Sequence, residues 1–411
     1  MLILGPGLIT GASDDDPSGI GTYTTAGAAF GFATLWTAPL TLPLMAAVQF
    51  ICAKIGMVSG MGLAAVLREH YSRWVIYFAI SLLIIANTIN AGTDIGAIAA
   101  AINLLAPIPT VLLVILISIV IVTLQILGSY KLIVRIFKWL TLSLFAYILA
   151  AFLARPHWGQ VLKSTFVPTI RFDHEYLMML LAILGTTISP YLFFWQSSLE
   201  VEEELRMGRS TLREREGATD RELRIAEIDV DAGMFFANLV FYFVILASAA
   251  TLHAAGKTSV QTATEAAQAL LPLSGRIASI LFSLGLIGSG FLAVPVLTTS
   301  SAYATCEAFQ WRFGLDEKPR LAPRFYALIA IATFIGMLIN FVNIPPVTAL
   351  FWTAVINGVL APPLLVIIMI VSNNTKVMGN RTNGRLTNIL GWAGAAIMSL
   401  AALGMFLTWG H

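Results

Sequence analysis

Charge is what this sequence has least of. Only 11% of its 411 residues are Asp, Glu, Lys or Arg, where a soluble domain carries about 25%. That shortage excludes a chain that keeps most of its surface in water. The formal net charge of +2 is too small to attract a nucleic acid, and none is expected as a partner. Two cysteines, Cys52 and Cys306, exclude a disulfide framework and a cysteine-rich metal centre. The five histidines, His70, His157, His174, His253 and His411, fall in expected loops or at helix ends. That excludes a histidine relay inside a membrane. There is no basic region ahead of the first apolar run, which argues against a cleaved signal peptide.

What is present is apolar length. Hydrophobic residues make up 58% of the chain, mean hydropathy is +0.84, and apolar runs of about eighteen residues or more recur throughout. The expectation is an all-α integral membrane protein with about eleven transmembrane helices. They are placed at about 2–31, 33–58, 75–105, 110–128, 133–153, 176–200, 232–255, 275–306, 322–341, 345–371 and 386–409. Of the 24 Lys and Arg residues, all but five fall in loops on one side. The five are Arg155, Lys163, Arg171, Lys257 and Arg276. The basic side is expected to be cytoplasmic, which puts the N-terminus inside and the C-terminus outside. This describes a multi-pass protein of a prokaryotic inner membrane, with the lipid bilayer as its surroundings and no obligate protein partner. The longest polar segment, Glu200 to Asp231, holds 11 acids and 6 bases. It reads as a solvated cytoplasmic helix-and-turn connection, or else as a regulatory or partner-binding loop.

Four acids lie deep in this pattern: Asp14, Asp15 and Asp16 in "SDDDPSGIG", and Asp94 in "NAGTDIGA". No base accompanies them. An ionised Asp at a helix centre costs roughly 2.5–3.5 kcal/mol, so such residues face a cavity or a partner. The acids are protonated, face water or bind a cation. The plain alternative is a helix end at the membrane interface, because Met1 to Ala12 is too short to span. Against that, the sequence from Gly21 onward continues apolar without a second charged flank.

Pro17, Gly19 and Gly21 break the first helix. Non-helical backbone at membrane depth persists only where it is buried in protein or lines a cavity. Carboxylate and exposed carbonyl oxygens together suit hard cations. The sixth span carries a matching break, "LGTTISPYLFFWQSS", with Pro190 173 residues after Pro17. Paired discontinuous helices in two halves point to a transporter site at the bilayer midplane. Five spans per half make the repeat inverted, as in LeuT-type folds with broken helices 1 and 6. The repeats are placed at about 1–154 and 172–371, with an extra helix at about 386–409, all within one transporter domain.

Four segments carry a resemblance to a known family. "GPGLITGASDDDPSGIGTYTTAGAAFG" is similar to the first helix of the Nramp family of divalent-metal transporters, whose hallmark there is Asp-Pro-Gly-Asn. "AKIGMVSGMGLAAVLREHYSRW" is similar to the family's loop after the second helix. "DIGAIAAAINLLAPIP" resembles its third helix, with Asp94 on a family Glu. "ISPYLFFWQSS" falls on its Met-Pro-His-Asn motif. The resemblance covers the whole chain, as a divergent branch. Asp16 and Pro17 keep the first motif, but Ser18 and Gly19 replace Gly and Asn. Ser189 stands at the metal-binding Met, Tyr191 at a His near the family's proton route, and Leu192 at the Asn.

Through this resemblance, Asp16 is expected to bind the cation directly. Ser13 and Thr186 are candidates to offer backbone carbonyls, Ser189 a side-chain oxygen. Asp15 or Asp14 would line the vestibule or hold water around the ion. Asp94 is a proton-route candidate, or else hydrogen-bonds Asn87, Asn90 or Thr93. Asn357 faces the site or joins two helices. Tyr191 plugs the path or simply packs.

Losing a thioether and adding carboxylates shifts a site from soft transition metals toward Mg²⁺, Mn²⁺ or Ca²⁺. The expected function is therefore a secondary transporter of divalent cations by alternating access, favouring hard ions, with Mg²⁺ or Mn²⁺ as substrate and no cofactor. The alternative keeps the fold but carries another ion or small solute. An enzyme is not expected and no residue is assigned as catalytic. An Asp16–Asp94 protease dyad would lack its Gly-x-Gly-Asp signature and leave the double helix break without a role.

Overall fold

The computed structural model describes residues 5–127, 139, 142–273, 275–315, 317–342 and 344–409. Among the described residues every regular element is helical. Helices of eight residues or more are α1 (Pro6–Asp14), α2 (Pro17–Phe30), α3 (Thr37–Ser59), α4 (Leu63–His70), α5 (Arg73–Leu105), α6 (Thr110–Leu127), α7 (Ala146–Leu153), α8 (Trp158–Phe166), α9 (His174–Thr187), α10 (Pro190–Arg206), α11 (Asp220–Ser248), α12 (Gly275–Phe309), α13 (Pro323–Ile339), α14 (Pro346–Ser372) and α15 (Arg385–Leu407).

Eight stretches are long and apolar enough to cross a membrane, the pair α9–α10 among them. The broken pair α1–α2, the apolar stretch Leu142–Leu153 and α13 add three shorter segments. The protein is thus a multi-pass integral membrane protein. The first part of the predicted fifth span, 133–141, lies outside the described residues apart from Trp139.

Helix packing relies on small residues, because lipid supplies no hydrophobic force between helices. A Cβ on Gly7 of α1 would lie 2.6 Å from the Val230 backbone N of α11. A Cβ on Gly336 of α13 would lie 2.9 Å from the Gly92 backbone N of α5. Bare backbone at these points lets α1 lie against α11, and α5 against α13. Helix α5 also packs along α12, and α9 along α14, so both breaks are enclosed by continuous helices.

One sequence expectation needs correcting. The segment 200–231 is not a solvated connection throughout. Helix α10 runs on to Arg206 and α11 begins at Asp220, leaving a short helix, Leu212–Arg215, between them. Glu200, Glu202 and Glu204 are buried. Hydrogen-bond and ion-pair partners, one set of them tertiary, explain this. Glu202 accepts from the Tyr303 hydroxyl and from the Leu315 N–H at 2.9 Å. Gln196 donates to Glu200 at 2.8 Å, and Arg209 pairs with Glu204 at 3.3 Å.

Candidate functional site

The first break follows from local chemistry. Helix α1 ends at Asp14, and Asp16 takes the extended backbone of an N-cap with Pro17 at the first helical position of α2. Asp16 Oδ1 accepts from the Gly19 N–H at 2.7 Å and from the Ser18 hydroxyl at 2.7 Å. Its Oδ2 accepts from the Asn90 amide of α5 at 3.0 Å. Charged hydrogen bonds contribute roughly 1.5–3 kcal/mol each, enough together to hold a buried carboxylate in place.

The second break is built differently. Ser189 is the N-cap of α10, again followed by Pro190. Its hydroxyl points back and donates to the C-terminal carbonyls of α9, Thr186 O at 2.9 Å or Gly185 O at 3.1 Å. The Ser189 hydrogen is thus spent on backbone, while its lone pairs stay available. Tyr191, two residues further, donates its phenol to the Ser13 carbonyl at 2.8 Å. The carbonyl that the first break exposes is therefore closed off by the second.

The two breaks meet at Gly19. A Cβ there would sit 3.1 Å from Thr186 Oγ1, 3.2 Å from the Tyr23 ring and 3.5 Å from Asp16 Oδ1. The Thr186 hydroxyl oxygen is buried and forms no hydrogen bond within ordinary limits. Asp16, Ser18, Asn90, Thr186, Ser189 and Tyr191 are all buried. Asp14 is buried with its Oδ1 unpartnered. Asp15 and Ser13 line a mostly apolar cavity of about 340 Å³ between α1, α11 and the Leu142–Phe145 turn.

Asp94 sits one helical turn beyond Asn90 on α5 and is fully buried. Its expected local partners turn their donors elsewhere, although Asn90 Oδ1 is left without a partner among the described residues. Asn87 donates to Leu297 O at 2.9 Å and Ser301 at 3.0 Å, Asn90 to Asp16, and Thr93 meets Thr353 at 3.1 Å. Among the described residues neither Asp94 oxygen forms a full hydrogen bond, although the Ser18 N–H faces it. Asn357 on α14 is buried, and its amide nitrogen has no hydrogen-bond partner among the described residues.

Among the described residues no three His, Cys, Asp or Glu side chains converge on one point. The three consecutive aspartates diverge, because one ends α1, one turns and one caps α2. The chemistry on offer is one carboxylate surrounded by hydroxyl, amide and carbonyl oxygens.

Sequence reasoning missed two groups. Asn90, named only as a partner for Asp94, instead holds Asp16. The i, i+4 spacing of Asn90 and Asp94 was the available signal, since it puts both on one helix face. Asp229 of α11 was not singled out. It accepts from the Gly7 N–H at 2.6 Å and so caps the start of α1.

A bundle of membrane helices with two facing breaks defines a transporter of the discontinuous-helix class. The family model described as "Natural resistance-associated macrophage protein-like" matches residues 7–408, and the chain belongs to this Nramp family. It is 28% identical over 404 residues to the divalent metal cation transporter MntH of Klebsiella pneumoniae subsp. pneumoniae, covering 97% of this chain and 92% of that one. It is also 28% identical over 413 residues to MntH of Deinococcus radiodurans, covering 99% and 89%. The fold is similar to that of the Eremococcus coleocola manganese transporter, with a TM-score of 0.74 and 22% identity over 97% of this chain and 85% of that one. It is also similar to the nucleobase-cation-symport-1 transporter Mhp1, with a TM-score of 0.57 and 13% identity, covering 99% and 93%. The architecture is LeuT-type.

Proposed function

We propose that this protein is a secondary transporter of divalent metal cations. It works by alternating access around a site between α1–α2 and α9–α10, and it favours hard ions, Mg²⁺ or Mn²⁺, over soft transition metals. The observation that carries this reading is Asp16. It is a buried carboxylate at a helix break, held by the Ser18 hydroxyl, the Gly19 N–H and the Asn90 amide, with no salt bridge among the described residues. A carboxylate offers about four acceptor positions, and protein donors take three here. The open position on Oδ2 is where a cation would bind first, with Asn90 free to turn away as it does.

Ser189 and Thr186 would supply hydroxyl oxygen, and Ser13 and Thr186 carbonyl oxygen, once Tyr191 releases Ser13. Asp15 and Asp14 would hold water around an incompletely dehydrated ion, which suits Mg²⁺. Asp94, fully buried and without a full hydrogen bond among the described residues, would carry a proton, and Asn357 would contact the ion's hydration shell. The packing of α2 on α11 and of α10 on α3 supports two inverted repeats, because it pairs corresponding elements of each half. The positive-inside count supports a cytoplasmic N-terminus in a prokaryotic inner membrane.

The test is calorimetric titration of the purified protein with Mg²⁺, Mn²⁺ and Ca²⁺ beside Asp16→Ala, followed by flux into liposomes. Saturable binding that the variant loses is the expected result. Absence of binding by all three ions would overturn the reading.

A further inference from the structure

The face poor in Lys and Arg carries a cavity of about 580 Å³ between the ends of α2, α7 and α11 and the helix α8. Only five of the chain's 24 basic residues are assigned to this face, yet Arg155 and Arg171 both line this one cavity. His157, His253, Gln160 and Ser164 line it with them, and no carboxylate does. Neither guanidinium makes a salt bridge or a side-chain hydrogen bond among the described residues. Asp173, the acid nearest Arg171 in sequence, turns its Oδ1 to the Tyr176 N–H at 2.9 Å.

The other groups at the cavity are positioned by the backbone. His253 Nδ1 lies 2.8 Å from the Ala28 carbonyl. That contact requires the hydrogen on Nδ1, so Nε2 of the neutral ring turns a lone pair, not a hydrogen, to the cavity. Gly31 makes this placement possible. Its φ is +58°, and a Cβ there would lie 2.9 Å from the His253 ring. Helix α8 starts at the cavity with His157 as N-cap and no side-chain cap. Its first N–H groups therefore add partial positive charge.

Beside this polar hollow the surface is apolar. Phe152, Leu162, Phe166 and Phe172 are each more than half exposed, and Trp158 packs on Phe152 at 5.0 Å. Basic donors next to exposed aromatic and aliphatic side chains match a phosphate head with acyl chains attached. We propose that this cavity seats the phosphate of an anionic phospholipid. Arg155 and Arg171 are its charged donors, and the acyl chains lie along Phe152, Leu162 and Phe166.

The experiment is native mass spectrometry of the full-length protein released from bilayers of equal phosphatidylglycerol and phosphatidylcholine. The wild type is expected to retain phosphatidylglycerol about tenfold over phosphatidylcholine, because both carry the phosphodiester anion but the choline ammonium puts a like charge beside Arg155 and Arg171. The double variant Arg155→Gln/Arg171→Gln is expected to retain both equally, with unchanged metal binding as the check on its fold. Equal retention by the wild type, or a preference that survives in the variant, overturns the proposal. A second arm titrates inorganic phosphate into delipidated protein. Phosphate binding that the variant loses, without a lipid preference in the first arm, assigns the cavity to the free anion and overturns the lipid source.

Discussion

The Tyr191 phenol donates to the Ser13 carbonyl across 2.8 Å, joining residues 178 apart in sequence. This bond ties the second helix break to the first and occupies a carbonyl that a cation would use. Tyr191→Phe should remove it while keeping the ring's packing. The expected cost is roughly 1–3 kcal/mol of stability, because the Ser13 carbonyl is left unpaired. Metal affinity in calorimetry should stay level or rise. If it disappears instead, the phenol oxygen is itself a ligand.

Ser189→Met should add a soft thioether to an all-oxygen site. The expected outcome is a shift toward Cd²⁺ and Mn²⁺ relative to Mg²⁺ in competitive binding. An unchanged order of ions would place Ser189 outside the cation's reach.

Gly19→Asn would restore the family's residue beside Asp16, but in a crowded place. The contact of 3.1 Å to Thr186 Oγ1 is already tight for a Cβ. The single variant should lose thermal stability, and Gly19→Asn/Thr186→Ala should recover part of it. Equal melting temperatures for the two would show that the gap is larger than the structure indicates.

Asp229→Ala should uncap α1. Loss of a capping carboxylate costs about 0.5–2 kcal/mol. The fall in protection should appear in hydrogen exchange of residues 6–14 before it appears elsewhere. Protection lost uniformly would mean that Asp229 supports the whole bundle rather than this half-helix.

Several features were legible in the sequence because their causes are local. Apolar length makes membrane helices, and the bounds of α3, α5 and α6 fall within four residues of those expected. Asp-Pro and Ser-Pro breaks are set by the missing N–H and fixed φ of proline, so both appear where Pro17 and Pro190 predict. Divergence from the family at Gly19, Ser189 and Tyr191 was also readable residue by residue.

Partner choice was not legible, because it depends on which helices meet. Nothing in "NAGTDIGA" says that Asn90 reaches α2 while Asp94 finds no full hydrogen bond. Nothing in "EVEEELR" says that Glu202 is buried, since its partner Tyr303 lies 101 residues away on α12. The sequence by itself determined a membrane bundle with two broken helices and a lone acidic cap. Only the tertiary structure decided that Asn90 holds that cap, that Tyr191 closes the Ser13 carbonyl, and that Arg155 and Arg171 converge on one hollow. The physical reason is range: backbone breaks are fixed within a few residues, whereas hydrogen-bond partners are fixed by contacts across the bundle.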